Sequence, residues 1–347
     1  MDRVRGIDLA RAVAIIGMFA AHVRPRSDPV GLAETLYAIP YGRAAVLFGL
    51  VAGVGVSLLA ASPRATGTRT TLLLLWRAAI LLPAGLALQH LDHGVFVILA
   101  DYALLFVAAA VLVRLPDTWL LAVTAAAAAA GPVTYRWGEL HRPAVFTRDP
   151  VLWGDPIPEI LHGLVLSGPY PLITWLAPFA FGMWLGRRNL RSRRGALTLS
   201  IAGATIAVGC WYLPDLAARF APGVDTDTGW WFLLNPEPHS QTPAWLIGST
   251  ASAAAALGLC LLVAAAVPRL SWPLTAAGQL AFTLYVLQLV ALHLAPDALR
   301  DEEVAGALLI LAGFTAVSAV LAVAWRAVFP RGPAEYVLRL PTIGFRG

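Results

Sequence analysis

Runs of about twenty apolar residues recur along the whole chain, and this repetition limits the fold more than any other feature. A helical run of that length matches the thickness of a bilayer's hydrocarbon core. Candidate spans fall at 7–23, 42–61, 70–91, 94–114, 118–134, 169–187, 195–213, 243–266, 272–295 and 303–326. The expected fold class is all-α, a polytopic transmembrane helical bundle of about ten spans. The stretch 135–168, leading into "WGDPIPEILHGLVLSGPYP", could hold a short or re-entrant helix and supply an eleventh. Of the 347 residues only 13% are charged and 59% are hydrophobic, with a mean hydropathy of +0.71. Soluble proteins carry roughly 25% charged residues. The short polar gaps leave no room for a sizeable soluble domain, so the chain reads as a single integral membrane domain over 1–347.

Charge sets the expected orientation. All 25 basic residues are arginine. With ten spans both termini share a side, and the gaps on that side hold Arg64, Arg69, Arg114, the cluster "GRRNLRSRRG" and Arg269. The tails add Arg3, Arg5, Arg331, Arg339 and Arg346, while Asp215, Asp225, Asp227, Glu237, Asp301, Glu302 and Glu303 gather on the other side. Arginine in short loops marks the cytoplasmic face, which places both termini in the cytoplasm. The net charge of +5 then needs no nucleic-acid partner. Arg3 and Arg5 resemble the start of a signal peptide, but Asp8 and Arg11 precede the apolar run and Arg24-Pro25-Arg26 follows it, so an uncleaved first span is expected. Cys210 and Cys260 both fall in apolar runs and behave as small hydrophobes, not as a disulfide framework.

The first span, "GIDLARAVAIIGMFAAHV", carries Asp8, Arg11 and His22. From Asp8, Arg11 lies at about 300° and His22 at about 320° around a helix, and His22 is roughly 16 Å further along than Arg11. One face therefore bears a pairable Asp–Arg at i,i+3 near the inner end and an imidazole near the outer end. Such groups usually face the bundle or a water-filled cavity; a self-neutralised pair that fixes packing is the plainer alternative. All seven histidines, 22, 90, 93, 141, 162, 239 and 293, map at or near the outer face. Histidine exchanges protons most readily near neutral pH, so chemistry at that face is the reading to test.

Other polar groups interrupt the apolar runs. Asp101 in "VILADYALLF" calls for an Arg or His partner. Arg43 opens the second span, as an interfacial anchor or as the holder of an anionic group, and the glycines of "GLVAGVG" read as close helix packing. Gln279, Thr283 and Gln288 could bond to neighbouring helices. Gly168-Pro169-Tyr170-Pro171 forces an irregular start to its span. In "NPEPHSQTPAWL", Ser240 could relay a proton for His239 or act as a cap, and Thr242-Pro243 is a helix start. No third member of a catalytic triad is evident. His90-x-x-His93 lacks visible carboxylate or Cys partners, so no metal is expected.

Six segments together carry a family resemblance: "RVRGIDLARAVAIIGMFAAHV", "GRAAVLFGLVAGVGVSLL", "LSGPYPLITWLAPFAFGMWLGR", "PHSQTPAWLIGSTASAAAALGLCLL", "PLTAAGQLAFTLYVLQ" and "RGPAEYVLR". They resemble the YeiB-like membrane proteins and the related heparan-α-glucosaminide N-acetyltransferase catalytic domain, the last three resembling the domain of unknown function 418. The resemblance implies an acetyltransferase-like half over 1–190 and a domain-of-unknown-function-418-like half over 195–345. It implies a transmembrane acyltransferase in a bacterial cytoplasmic membrane, with acetyl-CoA or another acyl-CoA as donor and no metal. The acceptor is a sugar, lipid or amine at the outer face. His22 stands where the acetyltransferase relatives have Asn, and the loop "RPRSDPVGLAETLYAIPY" lacks the histidine those relatives carry there.

The expected roles follow from acyl transfer, which needs a base for the acceptor and polar groups for the oxyanion. His22 is the expected base. His239, His162 and Tyr170 assist it or bind the acceptor. Arg43 holds an anionic group, and Asp8, Arg11 and Asp101 line the substrate or cofactor path. Arg187 and Arg188 could meet the phosphates of CoA. Expected partners are membrane lipid and a small-molecule or glycan acceptor, with a homodimer left open. The alternative function is a transporter or flippase of a small polar or lipid-linked substrate, in which Asp8, Arg11 and Asp101 are pathway charges.

Overall fold

A computed structural model describes residues 3–340 apart from 24–30, 32–34, 36, 38, 64, 222, 224 and 302. Arg24, Arg26, Arg64, Glu302 and Arg346, which entered the charge argument, lie outside the described residues. The described residues form helices joined by turns, with no strand. The helices are α1 (Arg5–His22), α2 (Arg43–Ala60), α3 (Gly67–Gln89), α4 (Leu99–Leu112), α5 (Asp117–His141), α6 (Ile157–Val165) and α7 (Leu172–Leu185). They continue with α8 (Arg193–Trp211), α9 (Leu213–Phe220), α10 (Pro243–Ala266), α11 (Trp272–Gln279), α12 (Ala281–Leu294), α13 (Val304–Val328) and α14 (Pro333–Val337).

Every expected span coincides with a helix or a broken pair of helices. Six helices (α2, α3, α5, α8, α10 and α13) are long and apolar enough to cross a membrane, and the pair α11–α12 raises the number to seven. This is a multi-pass membrane protein. The 14-residue α4 and α7 are apolar but shorter. Within 135–168, α5 runs on to His141 and is followed by α6, whose 9 residues are too few to span.

Local chemistry explains the starts. Thr242 accepts from the Trp245 N–H at 3.1 Å and Pro243 opens α10, as the Thr-Pro pair predicts. Ser192 caps α8 by accepting from the Gly195 N–H at 3.1 Å. The run 272–295 reads as one span, but it bends by 80° between α11 and α12. Glu335, on α14, compensates the break: its Oε1 accepts from the Phe282 and Thr283 N–H groups at 2.7 and 3.1 Å, and its Oε2 accepts from the Thr283 hydroxyl at 2.6 Å.

α1, whose polar stripe pointed towards the bundle, is its spine. α1 packs against α2, α10, α11, α12 and α13, and most of its residues are buried, Asp8 included. Lipid tails are as apolar as leucine, so such packing relies on close van der Waals contact and small residues. On the seam between α2 and α7, a Cβ at Gly53 would overlap the Phe179 carbonyl and one at Gly182 would overlap the Leu50 carbonyl. α8 buries only Ala196 and Gly203, and α13 only Ala307, Ser318 and Ala322, which makes both peripheral.

The helices alternate in direction, so the C-terminal ends of α1, α3, α5, α8 and α12 share one end of the bundle with the N-terminal starts of α2, α4, α7, α10 and α13. All seven histidines sit at this end, on helix termini or links. Arg3 and Arg339 lie within electrostatic reach of each other at the opposite end.

Candidate functional site

At the histidine end, His22 finishes α1 and has the His93 and His239 imidazoles as its electrostatic neighbours. His22 and His239 each keep a buried Nδ1 without a hydrogen-bond partner. The Tyr41, Tyr170 and Trp245 rings surround His239 at 5.6, 5.6 and 5.7 Å between centroids. Backbone geometry holds this imidazole in place at some cost. His239 and Gln241 have φ of 62° and 57°, the left-handed region that non-glycine residues rarely occupy. The turn is pinned by Gln241, which donates to the Pro169 carbonyl at 2.9 Å and accepts from the Thr174 hydroxyl at 2.8 Å. Ser240 bonds to the Thr242 hydroxyl at 3.1 Å and donates to the Asn235 carbonyl at 3.5 Å. It thus belongs to the turn and the start of α10, and no bond joins it to His239.

Burial, with Arg148 as a lesser cause, lowers the His239 imidazole from 6.5 to about 4. It is neutral near pH 7 and available as a base. The unfolded chain takes up a proton at this residue below about 6.5, while the folded chain refuses it until about 4. Its contribution to stability is therefore complete above 6.5 and is lost as pH falls through that window. Thermal unfolding of His239→Phe should show a flatter loss of stability between pH 6.5 and 4 than the parent; an equal slope would remove this residue from the acid response.

His93 has a structural task. It donates from Nε2 to the Leu88 carbonyl at 3.0 Å and accepts the Val95 N–H on Nδ1 at 3.1 Å. His90 instead donates to the Trp153 carbonyl at 3.1 Å, so the two do not converge. Among the described residues no group of three or more His, Cys, Asp or Glu could hold a metal. Tyr170 donates to the Phe96 carbonyl, and Tyr285 accepts the Ile98 N–H, both at 3.3 Å, which ties the 93–98 link to the site. Gln288, expected to bond a neighbouring helix, is buried with neither side-chain atom paired.

Asp101 lies in the first turn of α4, not mid-helix, where the helix dipole favours a carboxylate. Among the described residues it forms no ion pair with Arg or His; Tyr170 and Tyr285 are its electrostatic neighbours. It borders a small recess together with Gln89, Leu164 and Pro169. His162, on α6, is bonded to the Ser167 hydroxyl at 3.0 Å and meets the Phe146 ring at 5.1 Å, and neither contact reaches the His22 group. Arg43 sits at the first position of α2 with its guanidinium 5.4 Å from the Trp211 ring.

At the opposite end, Asp8 accepts from Arg11 at 2.7 Å, as the i,i+3 spacing predicts, and from Arg3 through a forked contact with one bond of 2.9 Å. Gln279 donates to Asp8 at 3.4 Å and accepts from Arg326 at 2.7 Å. Arg77, in the apolar run "LLLLWRAAILL", reaches the same region. Arg339 and Arg11 are its charged neighbours, its guanidinium is 5.6 Å from the Phe106 ring, and its Nε is buried without a partner. Burial and the guanidinia of Arg331, Arg3 and Arg11 hold Arg339 below its ordinary value. Among the described residues, Asp8 pairs with Arg3 and Arg11. Arg187 and Arg188 are placed elsewhere. Arg187 donates to the Leu115 and Val113 carbonyls at 2.7 and 3.1 Å and pairs with Asp117 at 3.0 Å, and Arg188 pairs with the same carboxylate. Both secure the α4–α5 link.

Sequence reasoning passed over Arg77, Arg326, Tyr285 and Trp245. A lone arginine within an apolar run was the available signal for the first. The loop between α1 and α2, where relatives carry a histidine, lies largely outside the described residues. Residues 3–213 match the family model described as "Heparan-alpha-glucosaminide N-acetyltransferase, catalytic", and residues 188–344 match "Protein of unknown function (DUF418)". No curated protein matches the chain.

Proposed function

The chain belongs to the heparan-α-glucosaminide N-acetyltransferase catalytic family, and from that premise we propose that it moves an acyl group from acyl-CoA to an acceptor across a bacterial cytoplasmic membrane. In this reading the chain crosses the bilayer ten times, the arginine-rich end with both termini is cytoplasmic, and the histidine end faces outward. One observation carries it. α1 holds an arginine-surrounded carboxylate at one end and an imidazole with a free buried Nδ1 at the other. The rise from Asp8 to His22 along the helix is about 21 Å.

The phosphates of the donor would lie against Arg77 and Arg11, where an anion meets the buried, unpaired Arg77 Nε. The acyl-bearing arm then runs alongside α1 towards His22. There a neutral imidazole takes the proton from an acceptor hydroxyl or amine, and the freed oxygen or nitrogen attacks the thioester carbonyl. Collapse of the tetrahedral intermediate breaks the C–S bond, and CoA leaves as the thiol with a proton returned from the imidazolium. His239 shares the aromatic pocket with the acceptor and is the second base candidate.

The test is direct. Protein reconstituted in vesicles with acetyl-CoA and an amino sugar or lipid-linked sugar should release one CoA thiol per acetylated product. Proton-coupled uptake without an acyl donor, and no thiol release with any acceptor, would replace this reading by a transporter. Arg77→Gln should raise the KM for acyl-CoA about tenfold with kcat little changed, the loss of one charge-assisted contact to phosphate. An unchanged KM would move the donor site away from Arg77.

A further inference from the structure

A second polar recess opens between α8, α10 and the start of α2, on the outside of the bundle. Arg43, Trp211, Trp245 and Ser249 provide its polar and aromatic lining. The Trp245 Nε1–H and the Ser249 hydroxyl are both buried without a partner, on residues only 1% and 2% exposed. The Trp245 Nε1 lies beside Gly42, 3.4 Å from where a Cβ would stand there, and so next to the first residue of α2. Arg43 makes a long hydrogen bond of 3.3 Å to the Ile39 carbonyl and rests on the Trp211 ring. α2 begins at Arg43 with no side-chain cap, which adds the positive end of a helix dipole. Buried donors without acceptors are rare because each lost its bond to water on burial. An N–H, an O–H and a guanidinium gathered without a carboxylate in the lining call for an anionic oxygen ligand.

The surroundings identify the source of that anion. α8 exposes Ile206, Val208 and Trp211 beside the recess. Next in the chain comes the short amphipathic α9, with Leu216 and Phe220 exposed, and then the exposed pair Trp230 and Trp231. Aromatic residues and an amphipathic helix at this level mark the headgroup depth of a bilayer. The recess therefore opens sideways at headgroup depth, with an apolar wall below it. We propose that it binds the phosphate of a net-anionic lipid in the leaflet at the histidine end, with the lipid chains lying along α8. With no acidic side chain in the lining, nothing would meet the cation of a zwitterionic headgroup. This site stands whether or not the protein transfers acyl groups.

Full-length protein, stripped of lipid in mild detergent, would be titrated with phosphatidylglycerol, phosphatidylcholine or inorganic phosphate, and bound molecules counted by native mass spectrometry. Phosphatidylglycerol should bind at least tenfold more tightly than phosphatidylcholine, and inorganic phosphate should not displace it. Arg43→Gln should lose about tenfold in affinity for phosphatidylglycerol. Arg43→Lys, which keeps the charge, should retain most of it and controls for folding. Equal binding of the two lipids, unchanged affinity in Arg43→Gln, or displacement by inorganic phosphate would each overturn the proposal.

Discussion

His22→Ala is expected to lower acyl transfer by about 10²–10⁴-fold, the usual contribution of a positioned general base. The KM for acyl-CoA should stay near the parent value, because the arginines around Asp8 lie at the other end of α1. That split separates a catalytic role from a structural one. A cavity left by a missing ring would lower stability and affinity together, whereas loss of a base lowers kcat alone. The position also explains why no nearby residue would substitute easily. His93 has both ring nitrogens engaged by the 88–95 turn, and His239 is fixed by a strained backbone in its own aromatic pocket. Turnover in His22→Ala equal to the parent would exclude His22 and transfer the role to His239. The measurement is thiol release from acetyl-CoA by reconstituted protein over a range of donor concentrations.

Gly182→Leu is expected to abolish recovery of folded protein. The seam between α2 and α7 brings backbone against backbone: a Cβ at Gly182 would overlap the Leu50 carbonyl, and one at Gly53 would overlap the Phe179 carbonyl from the other side. Overpacking with flexible neighbours costs about 1–3 kcal/mol. Here the obstacle is a helix backbone that cannot rotate aside, so the helices must separate along the seam. Separation would also break the bond from the Ser57 hydroxyl to the Met183 carbonyl, 2.6 Å long and buried. Gly209→Ala supplies the control, since nothing lies within 4 Å of a Cβ at that position of α8. A monodisperse, parent-like melting profile for Gly182→Leu, next to the same result for Gly209→Ala, would show that the seam tolerates side chains.

The sequence made the helices legible because a bilayer demands one feature, apolar length, and the chain displays it plainly. It also made the Asp8–Arg11 pair legible, since i,i+3 spacing is a local property of one helix. What it hid was long-range. The bend between α11 and α12 is invisible in the run 272–295 because the group that compensates it, Glu335, lies more than fifty residues on. Asp101 looked mid-span because the apolar run starts at 94, whereas the helix starts at Leu99 and the preceding residues form a pinned link. Arg187 and Arg188 looked free to meet phosphate until Asp117 and the carbonyls at the end of α4 were seen to hold them. Arg77 was hidden in a different way. One arginine hardly changes the hydropathy of a 23-residue helix, so a span reading passes over the residue that carries the most information.

The contacts of Glu335 have a consequence for how this protein is made. α12 begins at Ala281, and the N–H groups of Phe282 and Thr283 find their acceptor in residue 335. During synthesis, α11 and α12 leave the ribosome before α13, and α13 before α14. The bent geometry of the pair therefore gains its acceptor only after a further 25-residue helix has been made. The carboxylate on α14 thus works as a latch on the start of α12 that engages once the intervening helix is in place.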